Sequence, residues 1–228
     1  EDLLDALALG IGDYFEKTGA FKGIGVALSG GRDSLLTLLL AHRYLERRYA
    51  HLDSEERLVQ MSKVLHCFYM PSSFSSNQTF LAAETIAREL GARFTIVPID
   101  EAKDREGEIT LTMTDGVPLT GLTKQNIQAR LRGLRMWNWS NTSGFLFLQT
   151  GNMSEKACGY TTIGGDLEGA LGVLANVPKT VVVLLLEYLV ETRDFEGIRL
   201  AFHAPAGPEL EANQKGESEL MPFPVLDA

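Results

Sequence analysis

The stretch SGGRDS, residues 29–34, lies between a short apolar segment at 23–28 and a segment without helix breakers at 34–48. The first segment predicts a buried strand and the second a helix. Two glycines allow a sharp turn. The backbone amides that follow them belong to the N-terminus of the predicted helix, where the helix dipole attracts anions. No Gly-x-x-x-x-Gly-Lys-Ser/Thr loop is present, so we expect a phosphate-binding turn of another kind. A plain strand-to-helix turn capped by Asp33 is the alternative.

Strands and helices alternate along the rest of the sequence. Further strands are predicted at 64–70, 94–99 and 145–149. Further helices are predicted at 2–17, 77–90 with Asn77 as N-cap, 124–141, and 177–191 with Pro178 in its first turn. Residues 100–115 predict a short helix and a loop. This order indicates an α/β fold, an open parallel sheet flanked by helices on both faces. Ligands of such sheets bind at the carboxyl ends of the strands.

Composition and charge narrow the class of protein. The chain has 228 residues, 45% of them hydrophobic and 22% charged, as in a soluble globular domain. Its net charge of -9 argues against non-specific nucleic-acid binding, which needs a basic surface. No apolar run is long enough to predict a membrane span. Two cysteines, Cys67 and Cys158, are too few for a disulfide framework and suit a reducing cytosol, so we expect a cytoplasmic protein.

The hexapeptide at 29–34 resembles the SGGxDS signature of the ATP pyrophosphatases. These enzymes cleave ATP between its α and β phosphates and adenylate an oxygen of their substrate. By itself the loop leaves several substrates open, among them those of GMP synthetase, asparagine synthetase, argininosuccinate synthetase and the tRNA thiolation enzymes.

Other segments narrow the resemblance to the NAD⁺ synthetases. Five segments resemble motifs of this family. MPSSFSS (70–76) resembles MPSxYSS, NIQARLRG (126–133) resembles NIQARxRG, and TGNMSE (150–155) resembles TGNKSE. GYTTIGGD (159–166) resembles GYxTxYGD, and VPKT (177–180) resembles DVPKT. The whole chain, 1–228, is similar to the synthetase domain of glutamine-dependent NAD⁺ synthetases, which implies an adenine nucleotide alpha hydrolase-like fold. The resemblance also implies a glutaminase domain upstream of Glu1, outside this sequence.

The resemblance implies a carbon–nitrogen ligase. The nicotinate carboxylate of deamido-NAD⁺ would attack the α-phosphorus of ATP, releasing pyrophosphate and forming an adenylate. Ammonia, derived from glutamine, would then attack the acyl carbon to give NAD⁺ and AMP. This chemistry needs positioning and charge stabilisation more than a covalent nucleophile.

The resemblance assigns one group of residues to ATP and to Mg²⁺. The residues that would bind ATP are Ser29, Gly30, Gly31, Asp33, Ser34, Thr150 and Lys179. Asp33 and Glu155 would be the catalytic residues and the Mg²⁺ ligands, because two carboxylates completed by phosphates and waters suit this ion. Without the resemblance, Glu155 would more simply be a solvated helix residue.

A second group would bind deamido-NAD⁺: Asn126, Arg130, Glu155, Tyr160 and Asp166. Asn126 and Arg130 lie four residues apart and therefore share one face of the predicted helix. The planar guanidinium of Arg130 suits a phosphate or a carboxylate. Pairing of Arg130 with a surface carboxylate is the alternative.

The resemblance is weaker towards the end of the sequence. The family usually shows Lys-x-Pro-Ser/Thr-Ala-Glu/Asp-Leu where this chain has HAPAGPEL at 203–210, without the lysine and the hydroxyl. We expect residues 203–219 to form a mobile lid. The altered segment motivates an alternative function, a degenerate module that binds nucleotide without turnover. Another ATP pyrophosphatase, such as GMP synthetase, is the alternative among enzymes.

The resemblance also implies a homodimer or a higher homo-oligomer, with the dinucleotide bound near the subunit interface. Trp137 and Trp139 are predicted on opposite faces of the 124–141 helix, and Leu131 and Leu134 add apolar surface. A helix that is apolar nearly all round must be buried on more than one side. A second copy across a two-fold axis would cover what the sheet does not. Burial within one chain is the alternative.

Overall fold

A computed structural model describes residues 1–204, 209–210 and 221–228 of the chain. Its strands are β1 Ile24–Ala27, β2 Leu65–Tyr69, β3 Arg93–Ile96, β4 Leu146–Gln149 and β5 Leu171–Gly172. They form one sheet in the order β3-β2-β1-β4-β5, and every pairing is parallel. The predicted α/β class with an open parallel sheet is therefore confirmed.

Helices connect the strands and cover the sheet. They are α1 Asp2–Thr18, α2 Arg32–Arg48, α3 Ser54–Val64, α4 Asn77–Glu89, α5 Asp100–Met113, α6 Gly121–Ser143, α7 Met153–Ala157, α8 Lys179–Thr192, α9 Glu196–His203 and α10 Phe223–Leu226. Among the described residues, no helix is both long enough and apolar enough to cross a lipid bilayer.

Side chains of the strands alternate between the two faces of the sheet, as a pleated strand requires. On one face, Val26 and Cys67 join the main core, to which α1, α2, α4, α8 and α9 contribute apolar residues. On the other face, α6 covers Phe68 and Phe147, with Met136 among the buried contacts. Helices thus lie on both faces, as the sequence predicts.

The central strand β1 pairs with β2 on one side and with β4 on the other. The chain first extends the sheet from β1 through β2 to β3, and later returns to the other side of β1 with β4 and β5. The connections after β1 and β4 therefore diverge, and a crevice forms at the carboxyl ends of the strands where the order reverses.

Several predicted helix starts differ from the structure by one to three residues. Helix α2 begins at Arg32 and not at 34, and α6 begins at Gly121 and not at 124. The N-cap of α4 is Ser76, whose hydroxyl accepts a hydrogen bond from the Thr79 amide at 3.2 Å, so Asn77 is already the first helical residue. Helix α8 begins at Lys179, with Pro178 as its N-cap outside the first turn. Proline fits there because its extended backbone does not have to donate a helical hydrogen bond.

Two further elements differ from the sequence-based expectation. Residues 100–113 form one continuous helix, α5, instead of a short helix and a loop. Helix α3 has no counterpart among the predicted helices, since it buries only Met61 and Val64. Its capping box is nevertheless visible in the sequence, because Asp53 accepts from the amide of Glu56 at 2.9 Å.

Both tryptophans of α6 pack against the sheet, so their predicted placement on opposite faces is wrong. The ring centroid of Trp137 lies 5.5 Å from that of Phe147, and the Trp139 centroid lies 4.7 Å from that of Phe68. Trp139 also covers Gly25, where a Cβ would come within 2.1 Å of its ring. The indole side chains are long enough to reach the sheet from both flanks of the helix.

Candidate active site

The 29–34 loop leaves the carboxyl end of β1 and turns directly into α2. Gly30 has a φ of 82°, and a Cβ there would lie 2.1 Å from the carbonyl oxygen of Thr79, so conformation and space both require glycine. Gly31 is the N-cap of α2 and provides no side-chain cap. The first-turn amides of α2 therefore form a helix N-terminus suited to an anion.

The two serines of the loop stabilise it from within. Their hydroxyl oxygens lie 3.0 Å apart, and Ser34 Oγ also accepts from the amide of Ser29 at 3.2 Å. Ser29 Oγ accepts from the amide of Gly31 at 3.2 Å. Arg32 has a different role, because its Nη2 donates to the carbonyl of Phe202 at 2.9 Å and so anchors the loop to α9.

Three charged side chains from three helices meet beside the loop: Asp33 of α2, Glu155 of α7 and Lys179 of α8. Lys179 Nζ forms a short ion pair with Asp33 Oδ2 and lies 3.9 Å from Glu155 Oε1. The side chains are 9% exposed for Lys179, 19% for Asp33 and 21% for Glu155. One buried cation thus holds together two carboxylates that would otherwise repel each other.

Burial and the nearby charges shift the pKa values in this cluster. Burial, reinforced by the Asp33 carboxylate, raises the pKa of Glu155 from 4.5 to about 7, although Lys179 acts in the opposite direction. Burial alone would lower the pKa of Lys179, but Asp33 and Glu155 outweigh it and raise the pKa above its ordinary value. At neutral pH, Lys179 is therefore a cation beside a Glu155 carboxyl group that readily gains or loses a proton.

Asn152 joins the parts of this cluster and is a site residue that sequence reasoning missed. It is fully buried, and its Nδ2 donates to Asp33 Oδ1 at 3.0 Å. Its Oδ1 accepts from the amide of Glu155 at 3.0 Å, while Glu155 Oε2 accepts from the amide of Asn152 at 3.4 Å. This reciprocal capping box begins α7, and the Asn-x-x-Glu spacing in the sequence is the signal that could have identified it.

The chemistry of the cluster suits a divalent cation. Asp33 and Glu155 both approach the Lys179 ammonium, so a positive charge already lies between their oxygens. Hard carboxylate oxygens are the ligands that Mg²⁺ prefers, usually one or two at a time with phosphates and waters. Within the described residues, no group of three or more His, Cys, Asp or Glu side chains could hold a metal. The residue set fits an ion shared with a phosphate ligand.

A cavity of about 350 Å³ opens at the carboxyl ends of β1, β2 and β4, between α6 and the 159–166 loop. The predicted site residues that line it are Ser29, Asn126, Thr150, Tyr160 and Asp166. Thr162 closes the loop over the cavity, because its hydroxyl donates to Asn126 Oδ1 at 2.7 Å and its amide donates to Asp166 Oδ1. Five residues that are far apart in sequence therefore face one space.

The two arginines of NIQARLRG point in different directions. Arg130 is exposed, does not line the cavity, and donates from Nε to the carbonyl of Ile163 at 3.1 Å. Arg132 lines the cavity and donates from Nε to the carbonyl of Met70 at 3.0 Å. Burial lowers the pKa of Arg132 to about 10, so it stays a cation at neutral pH. Sequence reasoning chose Arg130 and missed Arg132, although both belong to the same quoted motif.

Most of the predicted lid at 203–219 lies outside the described residues, which include only 203, 204, 209 and 210 of this stretch. Glu209 accepts a hydrogen bond from the hydroxyl of Thr79 in α4 at 2.9 Å. The carbonyl of Leu210 accepts from Gln128 Nε2 in α6 at 2.9 Å. These two residues therefore connect α4 to α6 at the edge of the cavity.

The chain is thus an open parallel α/β domain in which a helix N-terminus suited to an anion follows the central strand, with Asp33, Glu155 and Lys179 beside it. The chain belongs to the NAD synthase family, whose sequence model matches residues 3–228. The glutamine-dependent NAD(+) synthetase of Synechocystis sp. is 34% identical over 227 residues, which cover 100% of this chain and 38% of that protein. The protein of the same description from Thermotoga maritima is 34% identical over 228 residues, covering 100% of this chain and 37% of that protein.

Solved structures show the same fold. The glutamine-dependent NAD⁺ synthetase from Acinetobacter baumannii, in complex with ADP, superposes with a TM-score of 0.76 and 30% identity, covering 90% of this chain and 36% of that chain. The synthetase from Cytophaga hutchinsonii gives a TM-score of 0.83 and 25% identity, covering 98% of this chain and 40% of that chain. The chain therefore spans well under half the length of these relatives.

Proposed function

We propose that this domain converts deamido-NAD⁺ to NAD⁺ by ATP-dependent amidation, through an NAD-adenylate, with release of AMP and pyrophosphate. The observation that carries the proposal is the meeting of Asp33, Glu155 and Lys179 beside the 29–34 turn. Ser29 of the same turn also lines the cavity at the carboxyl ends of the strands. Membership of the NAD synthase family and the names of the relatives support the choice of substrate over that of GMP synthetase.

The ATP phosphates bind at the first-turn amides of α2, with the hydroxyls of Ser29 and Ser34 in the same loop. Lys179 offsets their negative charge, and Thr150 contacts ATP from the end of β4. Asp33 and Glu155 would hold Mg²⁺, which when bound would neutralise negative charge on the phosphates. The protein contributes a preorganised, largely buried set of charges. These charges stabilise a transition state more strongly in a site that excludes water than they would in water.

Deamido-NAD⁺ binds in the cavity between α6 and the 159–166 loop. Asn126, Tyr160 and Asp166 contact it from the wall, and Arg130 contacts it from the exposed edge. We add Arg132 to this group, because a half-buried guanidinium that lines the cavity suits an anionic substrate.

Ammonia is the nitrogen donor, and we propose that glutamine supplies it through a glutaminase domain of a longer protein. The relatives named above are glutamine-dependent, and this chain covers less than two fifths of the length of the first two. We place the reaction in the cytoplasm, where free thiols such as Cys67 and Cys158 persist.

We also propose that the domain forms a homodimer or a larger homo-oligomer through α5 and α6. The tryptophans of α6 are packed within the chain, but Leu134 of this helix is 55% exposed. Met113, at the end of the adjacent α5, is 78% exposed. Exposed large apolar side chains on two packed helices offer surface for an interface, and a two-fold contact would bury the same residues on both copies.

The decisive experiment supplies the purified protein with ATP, Mg²⁺, deamido-NAD⁺ and ammonium chloride, and quantifies AMP and NAD⁺. We expect equal amounts of the two products from the wild-type protein and almost none from Asp33→Asn. Asp13→Asn, which removes a carboxylate of a surface ion pair on α1, serves as the control. AMP without NAD⁺ would indicate another acceptor. Neither product, despite measurable ADP binding, would indicate a nucleotide-binding module without turnover.

A further inference from the structure

The helix that carries Lys179 begins without a side-chain cap of its own. Pro178 is the N-cap of α8 and has no side-chain acceptor, so the amides of Lys179 and Thr180 need acceptors from elsewhere. Ser154 Oγ accepts from the Lys179 amide at 2.8 Å, and Asp227 Oδ2 accepts from the Thr180 amide at 2.9 Å. Two distant segments of the chain therefore provide the missing cap.

These two acceptors are also bonded to each other. The hydroxyl of Ser154 donates to Asp227 Oδ1 in a short hydrogen bond. Ser154 is only 3% exposed and directly precedes Glu155 in α7. One carboxylate therefore joins the helix that carries Glu155 to the helix that carries Lys179, and its negative charge lies at a helix N-terminus, where the dipole stabilises it.

The segment around Asp227 makes a second contact with the same lysine. Helix α10 lies against α8, and the ring centroid of Phe223 is 5.7 Å from Lys179 Nζ, within the range of a cation–π interaction. Residues 223–227 therefore act on the helical turn that carries Lys179 and also on its ammonium group.

We propose that Asp227 is a positioning residue for the amidation: it holds α7 and α8 together and so sets the Lys179 ammonium between Asp33 and Glu155. Its catalytic consequence rests on the function proposed above. Without the Asp227 carboxylate, the first turn of α8 loses an acceptor and frays, and the ammonium moves relative to the reacting phosphates. Displacements of about 1 Å at such a site reduce rates strongly, because the value of a preorganised charge depends on its placement.

The test compares Asp227→Ala with two variants. Asp227→Asn keeps an oxygen that can accept from the Thr180 amide, so it should rescue part of the loss. Asp53→Ala is the matched control, because Asp53 is also a capping carboxylate but its capping hydrogen bonds stay within α3. Both carboxylates cap a helix N-terminus, so the two alanine variants should show similar decreases in Tm.

For Asp227→Ala we expect a kcat for NAD⁺ formation about tenfold lower or more, with KM for ATP changed by less than about threefold, as for partners that orient a catalytic group. Asp227→Asn should be intermediate, and Asp53→Ala should match the wild type. Hydrogen exchange followed by mass spectrometry should show faster exchange of the first turn of α8 in Asp227→Ala only.

Faster exchange in α8 with an unchanged kcat would overturn the positioning role, and so would an equal loss of kcat in Asp53→Ala. Unchanged exchange in Asp227→Ala would show that the carboxylate does not hold the helix. If the wild-type protein forms no NAD⁺, the proposed function fails, while the exchange measurement and the affinity for ADP still test the cap. Should Asp227→Ala fail to fold, Ser154→Ala removes the other acceptor and carries the same expectations.

Discussion

Replacing Lys179 by Met keeps most of the side-chain volume but leaves Asp33 and Glu155 facing each other without a cation. Removing one partner from a buried ion pair typically costs ~3–5 kcal/mol of folding free energy. Asp33 and Glu155 keep 19% and 21% of their side-chain surface in contact with solvent. We therefore expect a loss of about 3 kcal/mol, which for a chain of this length lowers Tm by roughly 6–12 °C.

The pH dependence of this loss is a second signature. Glu155 has a pKa of about 7 in the folded protein and an ordinary value of 4.5. Between these values the folded protein holds a proton that the unfolded chain has released, so the contribution of Glu155 to stability falls as the pH rises. Without the Lys179 ammonium, the pKa of Glu155 rises further and this fall continues above pH 7. The deficit of Lys179→Met should therefore be larger at pH 8 than at pH 6.

Thermal unfolding followed by circular dichroism at pH 6 and pH 8, without nucleotide, measures both effects. Lys17→Met is the control, because Lys17 Nζ lies 3.0 Å from Asp13 in an ion pair whose side chains are 76% and 57% exposed. Surface pairs of this kind contribute about 0–1 kcal/mol. A deficit for Lys179→Met no larger than that of the control, or one that is the same at both pH values, would refute the reasoning.

Three further predictions concern the loop, the metal ligand and the interface. Asp33→Asn should leave the fold intact and slow pyrophosphate release by about 100-fold or more, because loss of one electrostatic stabiliser has an effect of this size. A wild-type rate of pyrophosphate release in a rapid-quench assay would show that Asp33 is not a site residue. Gly30→Ala places a Cβ 2.1 Å from a backbone carbonyl and should weaken ADP binding, measured by calorimetry, far more than Gly31→Ala, whose Cβ would meet Ser29 Oγ at 3.3 Å. Equal affinities for the two variants would contradict the steric account. Leu134→Glu should convert the oligomer to a 25.0 kDa monomer in sedimentation and weaken deamido-NAD⁺ binding more than ATP binding; a fully active wild-type monomer would exclude the interface.

The elements that the sequence predicted well are those whose signal is local. The runs that form β1, β2 and β4 are apolar and end at glycine, proline or polar residues, and their hydrogen-bonding partners are other strands of the same kind. The 29–34 turn is equally local, because the glycines, the serines and the helix N-terminus that define it are consecutive. For such features the residues and their physical requirement lie within a few positions of each other.

Features that depend on how elements pack could not be predicted in this way. Arg130 and Arg132 are two residues apart on α6, and only the packing of α6 decides that Arg132 turns towards the cavity. Asp227 and Ser154 are 73 positions apart, and neither has a sequence pattern that pairs them. Asn152 is an intermediate case, because its capping box is local but its bond to Asp33 is not.

The central place of β1 has a consequence for the energetics of the whole molecule. Asp33, just beyond β1, is bonded to Asn152 across 119 positions and to Lys179 across 146 positions. A partly folded chain that has assembled only β1, β2 and β3 lacks both partners and has no complete phosphate site. If nucleotide binds at this turn as proposed, it would bind the fully folded state alone and would add RT ln(1 + [L]/Kd) to the free energy of unfolding. The bound nucleotide would then stabilise both halves of the sheet together, and a destabilised variant would gain less from it when its Kd is higher.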